Sequence, residues 1–489
     1  MLRSLLMSHT RRIALRPLYP TSDFRFPTPE RVAKTLITSF VTCAILVLSI
    51  AVRADDLSVT DRSFAASAVP DRVLLSWKSD PATTQSVSWR TDASIDEGFA
   101  EIAPAGPGPD FAKSAKRVSA TSQVVETNLG ESRYYSVTFE NLSPKTLYAY
   151  RVGHDGAMSE WFQFRTAADE PAPLQFIYVG DAQVNIKSFW SRVIREAYAE
   201  APRATFMLHA GDLVNRGDAD HEWGEWFHAL GWLSGSVPQF AVPGNHEYSS
   251  IDDVFPRQLS PLWRPQFEFP ENGPMGFEET VYSIDIQGVR LIGLNSNMNL
   301  DIQTAWLEDT LANNPCEWTI VTHHHPIHST SRGRDNEMLR RVWQPIYDKY
   351  GVDLVLQGHD HSYGRSAPLT RQTTPAVKDD GQTDKSANIP SGVRGRTPGG
   401  TVYVVSVSGP KMYDLKDYKT GENPFARRAA NTQLFQIIRI DGNELRYEAR
   451  TATGKLYDAF TLRHREGAPN EFIGRIPKGT PARRGAPEE

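Results

Sequence analysis

Residues Leu354–His361 read LVLQGHDH, and the fold turns on how this stretch is read. A short aliphatic run without polar alternation is the pattern of a strand buried on both faces of a parallel sheet. Gly358 ends the run and lets the backbone turn sharply. His359 and His361 then emerge at the strand's carboxyl edge, where open α/β sheets place their ligands. Two imidazoles one residue apart on a tight loop reach different points in space. Alone, the pair does not separate a metal site from two ordinary loop histidines.

Four earlier segments end in the same way: FIYVGD at 176–181, FMLHAGD at 206–212, FAVPGNH at 240–246 and IVTHH at 320–324. Each is a short apolar strand that stops, mostly through glycine, in Asp, Asn or His. Those side chains ligate hard or borderline divalent metals through oxygen and imidazole nitrogen. Asp181, Asp212, Asn245, His324, His359 and His361 are therefore expected at one sheet edge, as the ligands of a metal centre.

At these residues the chain resembles the calcineurin-like metallophosphoesterases, and within them the purple acid phosphatases. The motif ladder of that family, GDx, GDxx, GNHE, VxxH and GHxH, is met in order. It appears as Gly180-Asp181, Gly211-Asp212, Gly244-Asn245-His246-Glu247, Val321-Thr322-His323-His324 and Gly358-His359-Asp360-His361. The resemblance implies two divalent metal ions (Mn, Zn or Fe), a phosphate-ester substrate and hydrolysis by a metal-activated water; two such ions sit about 3.5–4 Å apart and stabilise in-line displacement. By matching motif, Asp212 bridges the ions, Asp181 and His361 complete one shell, and Asn245, His324 and His359 hold the other. His246 stabilises the phosphoryl group or protonates the leaving oxygen. Glu247 and Asp360 are candidates for orienting the imidazoles.

The chain departs from its relatives in several places. Asn215 stands where the purple enzymes carry the tyrosine whose bond to ferric iron colours them, which favours labile divalent ions. Gln183 stands where many relatives have a histidine. Gln183 and Asn215 are thus expected to make at most weak contacts to metal or to a water there. Arg334 follows where a phosphate-facing histidine is common, and its guanidinium suits a phosphate bidentately. If Val321–His325 is a strand, His323 and His325 point away from His324. His209 and His221 read as packing or surface residues.

With 489 residues, two domains are expected. Residues 58–168 alternate apolar and polar positions between turns and read as an all-β sandwich. Leu142-Ser143-Pro144-Lys145-Thr146-Leu147-Tyr148 resembles the LxPxTxY signature of fibronectin type III-like sandwiches, with Tyr148 or Tyr150 as a tyrosine corner. Trp77, Trp89 and Trp161 are either core or a carbohydrate-binding face. After a linker at 167–173, residues 174–462 alternate strands with helical stretches, an α/β metallophosphoesterase domain of two mixed sheets flanked by helices. Within it, 186–202 reads as a helix with Phe189, Val193, Ala197 and Tyr198 inward, and 335–350 as another. A hairpin is expected at Gln287-Gly288, and the aromatic series Trp223, Trp226, Phe227 and Trp232 in the core. Residues 366–400 read as a surface insertion and 463–489 as a disordered tail.

Residues 1–54 resemble a signal peptide. Arg31 and Lys34 precede the apolar run Leu36–Val52, and small residues follow at 51–54. The alternative is an uncleaved membrane anchor. The first reading implies export to the periplasm, the cell surface or the medium. Residues 1–54 hold eight of the 53 Lys and Arg and two of the 58 Asp and Glu, so the remainder carries a formal charge of −11. That balance argues against nucleic acid as a partner and against a nuclease. Cys43 falls in the leader and Cys316 stands alone beyond it, so no disulfide framework is expected. The readings left are a phosphatase acting on phosphomonoesters, a phosphodiesterase of the same fold, and an inert surface-binding protein. The oligomeric state is not legible.

Overall fold

In the strand Asp71–Ser76 neither face is solvated, although alternation predicts one polar side. Leu75 packs into the interior of the N-terminal sandwich, while its neighbour Leu74 packs into the core of the following domain. Tyr135 and Tyr134 divide in the same way. Successive residues of a strand face opposite sides, so one strand here serves two cores.

A computed structural model describes residues 57–249, 258–373 and 399–478. The leader at 1–54 and the greater part of the insertion at 366–400 lie outside the described residues. In the sandwich, Asp71–Ser76, Gln85–Asp92, Gly130–Phe139 and Thr121–Thr127 form one antiparallel sheet in that order. Lys116–Ser119, Phe99–Pro104, Leu147–His154 and Phe162–Arg165 form the other. Val87, Trp89, Tyr135, Tyr150 and Phe164 fill the space between. Tyr148 makes the tyrosine corner, its Oη accepting from the Ser143 amide at 2.9 Å. Trp89 is core as expected, but Trp77 faces the second domain, edge-on to Phe206 at 5.6 Å.

The second domain holds two mixed sheets. In one, Gln239–Ala241, Phe206–His209 and Leu174–Val179 run parallel, and Leu434–Asp441 adds antiparallel beside Leu174–Val179. Glu444–Thr451, Leu456–Arg465 and Ala468–Gly474 continue it as a meander. In the other, Val289–Gly293, Trp318–Thr322, Leu354–Gln357 and Val402–Val405 are parallel neighbours. Tyr282–Ile286 joins that sheet through a hairpin whose turn residues, Gln287 and Gly288, have φ of 49° and 87°. A two-residue turn with both φ positive matches the twist of the strands it joins.

Ile320, Leu354 and Leu356 meet Ile177, Leu208 and Phe240 between the sheets. Val321 and Val355, one position on, meet Leu307, Leu339 and Trp343 of the helices Leu300–Ala312 and Glu337–Tyr350 outside. Both faces of these strands are buried, which is why they read as unbroken apolar runs.

Three expectations need correction. Residues beyond 462 are not all a disordered tail, because Ala468–Gly474 pairs antiparallel with Leu456–Arg465. Its Phe472 ring lies 5.5 Å from that of Phe460. A polar edge strand needs only one apolar anchor, so its composition hides it; residues 479–489 lie outside the described residues. The helix expected over 186–202 begins as a wide turn at Ile186–Trp190 before Ser191–Glu200. The extra residue in that turn rotates the register, burying Trp190 and leaving Phe189 exposed. Trp232, expected in the core, is also exposed.

Candidate metal centre

The strand ends of the two sheets meet at one rim, where the backbone is stitched across. The Tyr178 hydroxyl accepts from the Gln357 amide at 3.0 Å, and the Ser408 amide donates to the Gly180 carbonyl at 2.8 Å. Asp181, Asp212, His359 and His361 all have positive φ, between 49° and 74°, so each side chain leaves a sharply turned backbone. Such conformations are costly for these residue types and persist where surrounding structure holds them.

Among the described residues, two groups bring ligand atoms within 4.8 Å of one another: Asp181, Asp212 and His361, and Asp212, His324 and His359. Asp212 is common to both. Asn245 joins the second group, its Oδ1 lying 3.2 Å from His324 Nε2 and 3.0 Å from His359 Nδ1. All six residues expected at the rim therefore converge. Two carboxylates, one amide oxygen and three imidazoles are a donor set suited to two divalent cations.

The free nitrogens of the imidazoles are set by their other bonds. His324 Nδ1 donates to the Ala210 carbonyl at 2.9 Å, turning Nε2 toward Asp212 Oδ2 at 3.1 Å. His361 Nδ1 donates to the Lys411 carbonyl at 3.1 Å, turning Nε2 toward Asp181 Oδ1 at 3.5 Å. His246 Nδ1 donates to the Asn215 carbonyl at 2.5 Å, and Nε2 lies 3.9 Å from Asp212 Oδ2. A bond of this kind selects the tautomer and aims the opposite nitrogen.

Burial, strengthened by the charge of Asp212, pushes the Asp181 carboxyl well above its usual range. Burial also opposes ionisation of Asp212, but His324 outweighs it and holds Asp212 well below. Against burial, Asp212 and Asp181 raise His324 to about 9. The buried carboxyls of Asp181 and Asp212 thus depend on nearby positive charge, which suits a site for cations.

Sequence comparison bears on this arrangement. The calcineurin-like phosphoesterase profile matches residues 174–363, and the purple acid phosphatase N-terminal domain profile matches residues 70–166. The chain carries a calcineurin-like phosphoesterase domain behind a purple acid phosphatase N-terminal domain. An uncharacterised protein of Mycobacterium tuberculosis is 27% identical over 329 residues, which cover 59% of this chain and 60% of that one. The chain thus spans about three fifths of that relative's length. Probable purple acid phosphatase 20 of Arabidopsis thaliana is 25% identical, covering 64% of this chain and 70% of its own. A purple acid phosphatase from yellow lupin (Lupinus luteus) seeds shares the fold at a TM-score of 0.65 and 18% identity, over 82% of this chain and 75% of that one.

Within the phosphoesterase domain the other expected residues surround these ligands. Gln183 is spoken for at both ends of its amide, Nε2 donating to Asp212 Oδ2 at 2.6 Å and Oε1 accepting from Lys411 Nζ at 3.1 Å. Asn215 contributes its carbonyl to His246. Glu247 orients no imidazole; its carboxylate accepts from the amides of Asp212 at 2.9 Å, Leu213 at 2.8 Å and Gly244 at 2.7 Å. Asp360 Oδ2 likewise holds the 329–331 loop through Ser329 Oγ at 2.8 Å, and its Oδ1 lies 3.6 Å from Arg334 Nε. Arg334 rests beside the site, Nη2 2.7 Å from His359 Nε2.

His325 does not point away, because the strand stops at Thr322 and alternation ends with it. Its ring lies 4.2 Å from that of His359. It lines a cleft of about 1030 Å³ together with Asn245, Asn297, Met298 and Met338. His209 packs between Trp190 and Trp226 as expected.

The residues missed by sequence reading are Lys411 and Tyr413. The Tyr413 amide donates to the His361 carbonyl at 3.1 Å, and its ring stacks on His361 at 4.6 Å. The run 401–409, TVYVVSVSG, carries the same strand-then-glycine signal as the other motifs and could have revealed them.

Proposed function

We propose that this protein is an exported, binuclear metal-dependent phosphatase that hydrolyses phosphomonoesters. The observation that carries the reading is the position of Asp212 in both ligand groups. One carboxylate can give an oxygen to each of two cations. Asp181 and His361 would complete one shell, and Asn245, His324 and His359 the other. Two divalent cations bound there supply Lewis-acid polarisation of the phosphoryl oxygens and acidification of a water.

The chain's own residues supply the rest. His246, with its Nδ1 proton committed to Asn215, presents Nε2 beside Asp212 and there holds the proton that the leaving oxygen needs. Arg334, a quarter exposed beside His359, offers its guanidinium to the phosphoryl oxygens. Gln183 holds Asp212 in register rather than binding metal.

Export rests on the leader pattern at 1–54. Among the described residues no helix is long and apolar enough to cross a membrane. The open cleft beside Asn245 and His325 would also admit the second ester group of a phosphodiester, which keeps that activity as a second reading.

The test is a titration of chelator-stripped protein with Mn, Zn or Fe(II), scored on an aryl phosphate and a bis-aryl phosphate. Activity restored by about two metal equivalents, with the monoester preferred, is expected. A large preference for the diester would replace the monoester reading. Protein that retains no divalent ion in elemental analysis would leave the inert-binding reading in its place.

A further inference from the structure

A layer of cations lies over the site. The Tyr413 ring, stacked on His361, has Arg334 Cζ at 5.1 Å and Lys411 Nζ at 5.8 Å from its centroid. Aromatic faces hold cations at such distances. Lys411 Nζ donates to Gln183 Oε1 at 3.1 Å, and Gln183 Nε2 donates to Asp212 Oδ2 at 2.6 Å. One amide therefore separates the ammonium from the carboxylate that the two ligand groups share. Arg334 stands beside the other end of the site, against His359.

The segment bearing Lys411 is tightly anchored. Its carbonyl takes the Nδ1 proton of His361, and Gly409 lies so close to the backbone of Asp181 and Ala182 that a Cβ would collide with both carbonyls.

A lysine ammonium has three donors, and Gln183 takes one. We propose that Lys411 and Arg334, both beside the Tyr413 ring, form a cationic pincer that takes the outer oxygens of a phosphoryl dianion and so selects phosphomonoesters over diesters. This rests on the phosphatase reading above and names its specificity residue. A monoester carries about 1.5–2 negative charges at neutral pH and three oxygens free of ester carbon. A diester carries a single charge and two such oxygens, so a second fixed cation beyond Arg334 gains it less. Lysine suits this role as a compact point charge, whereas arginine supplies a planar fork.

The experiment uses the full metal-loaded chain and the variants Lys411→Met and Lys411→Arg. For Lys411→Met, kcat/KM on an aryl phosphate is expected to fall by about 10- to 100-fold, the scale of one charge-assisted hydrogen bond, and inhibition by inorganic phosphate to weaken by a similar factor. On a bis-aryl phosphate the loss should stay within about threefold. Metal content by elemental analysis should be unchanged, and Lys411→Arg should keep most of the monoester preference. Equal losses on both esters, or phosphate inhibition identical to the parent, would overturn the pincer. Should the parent protein hydrolyse neither ester, the phosphatase reading fails by itself. Equilibrium dialysis of inorganic phosphate against parent and Lys411→Met then decides the anion site, equal binding overturning it.

Discussion

The carbonyl of Asn215 accepts the Nδ1 proton of His246 at 2.5 Å, so a loop peptide decides which nitrogen faces Asp212. That loop is pinned in turn by Glu222, whose Oε2 accepts from the amides of Asn215 and Arg216 at 2.8 Å each. Removing this carboxylate with Glu222→Ala frees both amides and lets the carbonyl drift. Turnover should fall roughly tenfold while bound metal stays constant, because small misplacements of a proton donor are costly. Steady-state kinetics beside elemental analysis checks this, and an unchanged kcat would show that the carbonyl does not aim His246.

Asp212→Asn and Gln183→Ala should differ in kind. The first removes the charge shared by the two ligand groups, and bound metal should drop in both sites with turnover lost. The second removes the amide that bonds Asp212 Oδ2 and Lys411, which weakens metal affinity yet spares turnover at saturating metal. Metal titrations followed by activity separate the two. Small and equal effects would contradict the assignment of Asp212.

The domains are joined by a buried ion cluster. Asp220, fully buried, pairs with Arg72 and with Arg90 Nη1, the latter at 2.8 Å. Asp220→Ala leaves Arg72 without its buried counter-charge, while Arg90 keeps Asp71 at 2.6 Å, and such breaks cost about 3–5 kcal/mol. The urea midpoint should fall accordingly, and a midpoint equal to the parent's would show that the cluster contributes nothing net.

Glu279 makes stability depend on pH. Burial, with Glu268 adding to it, pushes its carboxyl up from 4.5 to about 8. Between those values the folded chain keeps a proton that the unfolded chain has released. Stability therefore falls as pH rises through that window, and the loss is complete above about 8. Glu279→Gln removes the titration. Thermal melts should show the variant close to the parent near pH 5 and a few degrees above it near pH 9. Parallel curves for the two proteins would exclude this group as the source.

The candidate ligands were legible because each sits directly after a strand and a turn, so the signal for Asp181, Asp212 or His359 is local. Residues that act through backbone groups leave no such trace. Glu247 reads as an orienter of imidazoles from its motif, yet it bonds amides of the Asp212 loop, a contact between distant segments. Lys411 and Tyr413 follow the strand-then-glycine run at 401–409 but are not ligand types themselves, so only the folded chain brings them onto His361. Trp77 looked like sandwich core because a strand buried on both faces does not announce which core it serves.

Close approach of backbone to ligand gives the sharpest test. Gly244 has φ −88°, open to any residue, so alanine there adds no backbone strain. A Cβ would nonetheless lie 2.8 Å from Asp212 Cγ, with Oδ1 and the backbone nitrogen closer still. Asp212 has nowhere to retreat, since Glu247 holds its amide and Gln183 its carboxylate. Gly276 is the opposite case, with φ 88° and open space around its Cα. Gly244→Ala should therefore cost metal in both sites and about 100-fold or more in turnover. Gly276→Ala should cost about 1 kcal/mol of stability through its φ while leaving metal and turnover alone. Elemental analysis, kinetics and melts on the two variants read this double contrast. If Gly244→Ala kept both metals, the approach of that glycine to Asp212 would have no part in holding the site.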